Sequence, residues 1–287
     1  MPDSLLRLLP EDPDNPYRLG AHLYHDPQSA AFPFAARPEA RRAISSRPPW
    51  SRRIPITNQL DIGSCTGQGG TGWVGTDTND RPGLIRIVAA PEPPCPLGPL
   101  DNDWAVKLYG EASRIDPWPG GYYAPAWEDT GSDALSIAKT LRAWGLAGEY
   151  TWCFGGLSDV LTGLQSGPVV LATGWYSSMF TPTSDGECVI SSGAYLSGGH
   201  LFIANGEIDM ERQRIGCDQS WGQGWGLDGR FYLSFATLER LLSEDGEGLV
   251  LHATATINPD PEPAPEPEPA RPGCNPVAQI SRLFRRR

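Results

Sequence analysis

Between positions 134 and 144, apolar side chains recur as Ala134, Ile137, Ala138, Leu141 and Trp144, the spacing of one helix face. The spacing predicts a helix over 133–144, with Ser132 as its N-cap and Gly145 as its stop. A second, shorter helix is predicted over 158–164, after which Gly167-Pro168 opens the apolar strand VVLAT. From His200 onward the pattern becomes that of strands: HLFIA, a break at Asn205-Gly206 and a polar stretch, then RIGCD, and later RFYLSF. Helices dominate the first half and strands the second. This segregation predicts an α+β fold with a cleft between two layers.

The ends of the chain differ from this middle. Prolines at 259, 261, 263, 265, 267, 269 and 272 alternate with acidic and small residues, which predicts an extended linker over 259–273. The tail 274–287 places Val277, Ile280 and Leu283 at helical spacing beside four arginines, as expected of a segment that docks on a protein assembly or of a solvated end. Residues 1–43 are rich in Pro, Arg and Ala without periodicity, an extension that packs along the domain or is partly disordered. The compact domain is expected over 44–258.

With 39% apolar residues and ten tryptophans in 287 positions, the middle can build a sizeable core. The net charge of -11 and the sequence pI near 4.8 exclude a nucleic-acid binder for the body of the chain, because phosphate contacts need a broad basic surface. The first twenty residues hold no sustained apolar run of signal-peptide length, and no window is long and apolar enough for a membrane span. A cytoplasmic protein is expected, or one attached to a larger particle. The six cysteines are widely spaced and the four histidines do not cluster with them, so reduced thiols and no structural metal are expected.

Candidate chemistry sits in three segments. In NQLDIGSCTGQGGTGWV, Gln59 precedes Cys65 by six positions, and a helix opening at Cys65 after the Gly-Ser turn would favour its thiolate and aim a backbone N–H at an oxyanion. In SGGHLFIANGE, two glycines precede His200 and an apolar strand follows. In CDQSWGQGWGLDGRFYLSF, Gln219 and Trp221 stand before a Gly-Trp-Gly turn. These three segments, in this order, resemble the papain-like cysteine peptidases, particularly their bacterial and phage branch, and the similarity runs over about 45–240. The resemblance implies a helical left half facing an antiparallel, barrel-like right half across the active-site cleft. It implies Cys65 as nucleophile, His200 as base, Gln219 as the amide that orients His200, and Gln59 as oxyanion donor. It also implies a cleft wall in which the Gly131 backbone pairs with an extended peptide, with Ser132, Gly199 and Trp221 nearby. A peptide or protein is then the substrate, and no cofactor is required.

Three departures from the family pattern bear on function. Gln219 replaces the family's asparagine and adds a methylene between backbone and amide. Gly67, Gly69, Gly70, Gly72 and Gly75 crowd the helix expected after Cys65, each costing about 1 kcal/mol relative to alanine unless packing compensates. Residues 1–43 lack the long helical pattern of the family's regulatory propeptides, so control by a pro-segment is not expected. The main expectation is a cysteine-type endopeptidase. The alternatives are a weak or inactive papain-fold module of a larger assembly such as a phage virion, with Gln219 as the discriminating feature, and a cysteine acyl transferase using the same dyad.

Overall fold

The computed structural model describes residues 17–89, 92 and 94–254; the linker 259–273 and tail 274–287 lie outside the described residues. In chain order, β1 is Ala21–His22, α1 Cys65–Val74, β2 Arg86–Ile87, β3 Gly98–Pro99, α2 Asn102–Ile115 and β4 Ser132–Asp133. There follow α3 at Ala134–Ala143, β5 at Ala147–Trp152, α4 at Leu157–Gly163, β6 at Val169–Tyr176 and β7 at Leu196–Asp209. The last elements are β8 at Arg214–Asp218, β9 at Arg230–Ser234, α5 at Phe235–Ser243 and β10 at Glu247–Ala253. No helix among the described residues is long and apolar enough to cross a membrane.

Six strands form one antiparallel sheet in the order β5-β10-β6-β7-β8-β9, with β5 and β9 as its edges. The right half is therefore an open sheet and not a closed barrel. Successive strand residues project to opposite faces, and both faces are apolar here. Val170, Ala172, Leu201, Ile203, Leu249 and Leu251 pack toward α1, α2 and α3. Val169, Leu171, Phe202, Ala204 and Val250 face a second core with α4, α5 and the aromatic group around Trp175.

Local boundaries depart from expectation in two places. Asp133 caps α3, its carboxylate accepting from the Ser136 N–H at 2.6 Å, and Ser132 is instead paired in β4. The carboxylate is the stronger acceptor at this helix start. Gly145 does close the turn after α3, in the left-handed region at φ 73°. The second departure is that β7 runs on through Asn205-Gly206. The pair forms a bulge, marked by a register shift between Ala204 and Ile208 and φ 99° at Gly206, and the reversal comes later, at Gln213.

The glycine-rich α1 is explained by its surroundings. All ten of its residues are buried. A Cβ at Gly67 would lie 2.1 Å from the Ala105 carbonyl oxygen of α2, and one at Gly70 would lie 2.7 Å from Leu108 and 2.9 Å from Ile137. The helix that begins with Cys65 is thus pressed between α2, α3 and β7. At the other side of the cleft, the Asp218 carboxylate at the end of β8 accepts from Arg52 at 3.2 Å, Asn205 at 2.9 Å and Arg230 at 3.3 Å. That buried network anchors the chain just before Gln219.

Candidate active site

The structure brings Cys65, His200, Gln219 and Gln59 together. Cys65 opens α1 and is fully buried, and its sulfur lies near the backbone N–H groups of Thr66 and of Leu201, the residue after His200. His200 Nε2 donates to Gln219 Oε1 at 2.5 Å, and the same oxygen accepts from the Ser220 N–H at 2.9 Å. Ile203 pairs with Asp218, so continuing that register sets Gln219 diagonally across from His200, a span the longer amide covers. Trp221 stacks on the imidazole at 4.8 Å between centroids, and Trp175 meets it edge-on at 5.0 Å. With Nε2 as donor, Nδ1 is the basic nitrogen of the neutral ring; it is buried and makes no hydrogen bond among the described residues. Ser220 Oγ donates to Gln59 Oε1 at 2.6 Å, leaving Gln59 Nε2 to donate to the carbonyls of Ile62 at 3.0 Å and Arg18 at 3.3 Å.

The Arg18 carbonyl belongs to the N-terminal extension, and the extension occupies the cleft. Trp221 Nε1 also donates to that carbonyl, at 3.0 Å. The Gly20 N–H donates to the Gly199 carbonyl at 3.3 Å, and the Gly20 carbonyl accepts from the Ser132 N–H at 3.0 Å. Ala21 and His22 pair in parallel with Ser132 and Asp133. Side chains add to the seat: Arg18 pairs with Asp129 at 2.7 Å, His22 Nε2 donates to the Thr130 carbonyl at 2.7 Å, and Tyr17 stacks on Trp221 at 4.8 Å. Every residue expected to line the cleft, Gly131, Ser132, Gly199 and Trp221, lies along this segment: Gly131 directly follows Thr130, and a Cβ on it would lie 2.6 Å from the Gly20 carbonyl oxygen. Residues 17–22 thus lie along the expected cleft as an extended stretch, which needs no helical pattern in the sequence. Asp129, which also accepts from the Tyr109 hydroxyl at 2.7 Å and the Gly63 N–H at 2.8 Å, and Ser220 carry no motif that singles them out.

Burial holds both Cys65 and His200 toward their neutral forms. Burial pushes the Cys65 thiol up to about 12, against the smaller opposing pull of the Leu201 and Thr66 N–H groups. Burial likewise brings His200 down to about 4, with the Gln219 hydrogen bond acting the other way. The His200 shift predicts a pH-dependent stability. The unfolded ring binds a proton near the ordinary value of 6.5 and the folded ring only near 4, so the contribution is complete above 6.5 and is lost as pH falls toward 4. At about 1.4 kcal/mol per pH unit, the loss is about 3 kcal/mol. Urea unfolding of wild type and His200→Gln at pH 7 and pH 4.5 should show a smaller pH effect in the variant. Equal pH effects would rule this out.

No protein-family model matches the chain, and no curated protein matches it in sequence. Solved structures do match. Xylellain, a cysteine protease from Xylella fastidiosa, aligns with a TM-score of 0.61 at 14% identity, over 83% of this chain and 97% of that one. Procathepsin B S9 from Trypanosoma congolense aligns with a TM-score of 0.48 at 15% identity, over 82% of this chain and 86% of that one. The first of these carries the comparison: the chain has the fold of the papain-like cysteine proteases.

Proposed function

We propose that this chain is a cysteine-type endopeptidase held latent by its own residues 18–22. The observation that carries the reading is that an extended backbone is seated between Gly199, next to His200, and Ser132, and passes Gln59 and Gly63, two residues before Cys65. A substrate peptide would take the same seat, pairing with the backbone at Gly131, Ser132 and Gly199. Cys65 Sγ attacks the scissile carbonyl carbon as His200 Nδ1 takes the thiol proton, and that proton passes to the leaving amine as the C–N bond breaks. Water, deprotonated by His200, then hydrolyses the thioester and restores the thiol. Gln59 Nε2 and the Cys65 backbone N–H hold the oxyanion. Gln219 fixes the tautomer that leaves Nδ1 basic, and Trp221 keeps water from that bond. Support for this chemistry also comes from the protease activity named for xylellain, whose fold this chain shares.

The test uses full-length protein with the covering segment loosened, as by Gly20→Ala, and an epoxide inhibitor of papain-like enzymes. Covalent capture at Cys65 and cleavage of casein are expected, both abolished by Cys65→Ala with the unfolding midpoint unchanged. Folded protein that neither captures the inhibitor nor cleaves casein would reject the peptidase and leave an inert binding module.

A further inference from the structure

Asp129 and Tyr109 stand outside the dyad chemistry, yet hydrogen bonds join them to two backbone stretches beside it, the turn before Cys65 and the edge at Gly131. Asp129 Oδ2 accepts from the Gly63 N–H at 2.8 Å, and Oδ1 accepts from the Tyr109 hydroxyl at 2.7 Å. That hydroxyl in turn accepts from the Gly131 N–H at 2.9 Å. Tyr109 lies on α2 and is fully buried. Burial, and then the neighbouring Asp129 carboxylate, push its hydroxyl well above the ordinary tyrosine range, so it keeps its proton and goes on donating.

The Gly63 N–H belongs to the Ile62–Gly63 peptide group, and the carbonyl of that same group accepts from Gln59 Nε2 at 3.0 Å. A peptide unit is rigid and planar, so a hold on its N–H also fixes where its carbonyl points. Gln59 is held at Oε1 by Ser220 and through one N–H by Ile62, and its other N–H meets the Arg18 carbonyl while the segment is seated. That second N–H is the one an oxyanion would take. A continuous route therefore starts at Gly131, beside the Ser132 N–H that pairs with an extended backbone, and passes through Tyr109, Asp129 and the Ile62–Gly63 peptide to Gln59. The acceptor in its middle is a carboxylate, which bonds each donor more strongly than a neutral group would and polarises the chain. We infer that Asp129 and Tyr109 are positioning residues: they aim the oxyanion donor Gln59 and lock it to the edge on which a bound peptide is seated.

That Gln59 receives an oxyanion rests on the peptidase reading; the route that holds it does not. The test compares variants of full-length Arg18→Ala, Gly20→Ala protein, so that the ion pair between the segment and Asp129 drops out of the comparison. Asp129→Asn, which keeps the shape and gives up the charge, should lower kcat about tenfold at nearly unchanged KM, and Tyr109→Phe should act in the same direction. Both losses should vanish once Gln59 is replaced by Ala, because no donor is then left to aim. Equal losses with and without Gln59, or no loss in either folded variant, overturn the relay. A parent protein that cleaves nothing rejects the peptidase, and the relay is then judged on the side-chain amide resonance of Gln59 by NMR. Asp129→Asn and Tyr109→Phe should each shift that resonance, and a resonance unmoved by both overturns the relay.

Discussion

Gly20→Ala is expected to raise peptide hydrolysis by the full-length protein roughly ten- to a hundredfold. A Cβ at position 20 would lie 2.1 Å from the Gly63 carbonyl oxygen and 2.6 Å from its carbonyl carbon, both backbone atoms two residues before Cys65. Neither side can yield without moving the start of α1 or breaking the pairs that Gly20 makes with Gly199 and Ser132. Overpacking of this kind costs about 1–3 kcal/mol, and at 1.4 kcal/mol per factor of ten the seated state loses up to about a hundredfold in population. The strain falls on the covered state alone, because a displaced segment makes no contact with Gly63.

Activation should follow from hydration as well as access. Burial is the first cause both of the raised Cys65 thiol and of the lowered His200, and the segment lies against Gly63 and Gly199 close to them in the chain. Once it leaves, water reaches the dyad, and the N-terminus of α1 favours the thiolate. Iodoacetamide labelling of Cys65 at pH 7 should therefore quicken along with hydrolysis. Arg18→Ala, which removes the part-exposed ion pair with Asp129, should have a smaller effect of the same sign. Unchanged rates in folded Gly20→Ala protein would mean that the segment does not limit access.

The residues that could be read from sequence were those whose chemistry is local. Cys65 follows a Gly-Ser turn, His200 opens an apolar strand and Gln219 precedes Ser-Trp-Gly, so each position is marked by its neighbours. The α3 helix was legible from its period. The covering segment was not, because β1 is two residues long and its pairing partners, Gly199 and Ser132, lie more than a hundred positions away. Its backbone contacts leave no side-chain pattern. Asn205-Gly206 looks like a reversal in isolation, yet β6 pairs with β7 up to Ala204 and β8 resumes pairing at Ile208, which turns the pair into a bulge.

The glycines of α1 were legible only as an anomaly, and packing turns that anomaly into the second large effect: Gly67→Ala should destabilise the protein by about 3 kcal/mol. Helix propensity alone predicts the opposite sign, a gain of about 1 kcal/mol. The deciding fact is what a Cβ would meet. At Gly67 it lies 2.1 Å from the Ala105 carbonyl oxygen and 2.8 Å from the Tyr109 N, both backbone atoms of α2, so the two helices must part. At Gly69 it meets one methyl carbon of Leu201 at 2.2 Å and nothing else within 3.4 Å, so a rotamer change can relieve the contact. Gly69→Ala should therefore cost clearly less. For a domain of this size a loss of 3 kcal/mol lowers the thermal midpoint by roughly 6–12 °C. Calorimetry of the two variants would test the ordering, and a Gly67→Ala midpoint at or above that of Gly69→Ala would refute it. Parting α1 from α2 also shifts Cys65 at the start of α1, so Gly67→Ala should lose inhibitor capture even at temperatures where it remains folded.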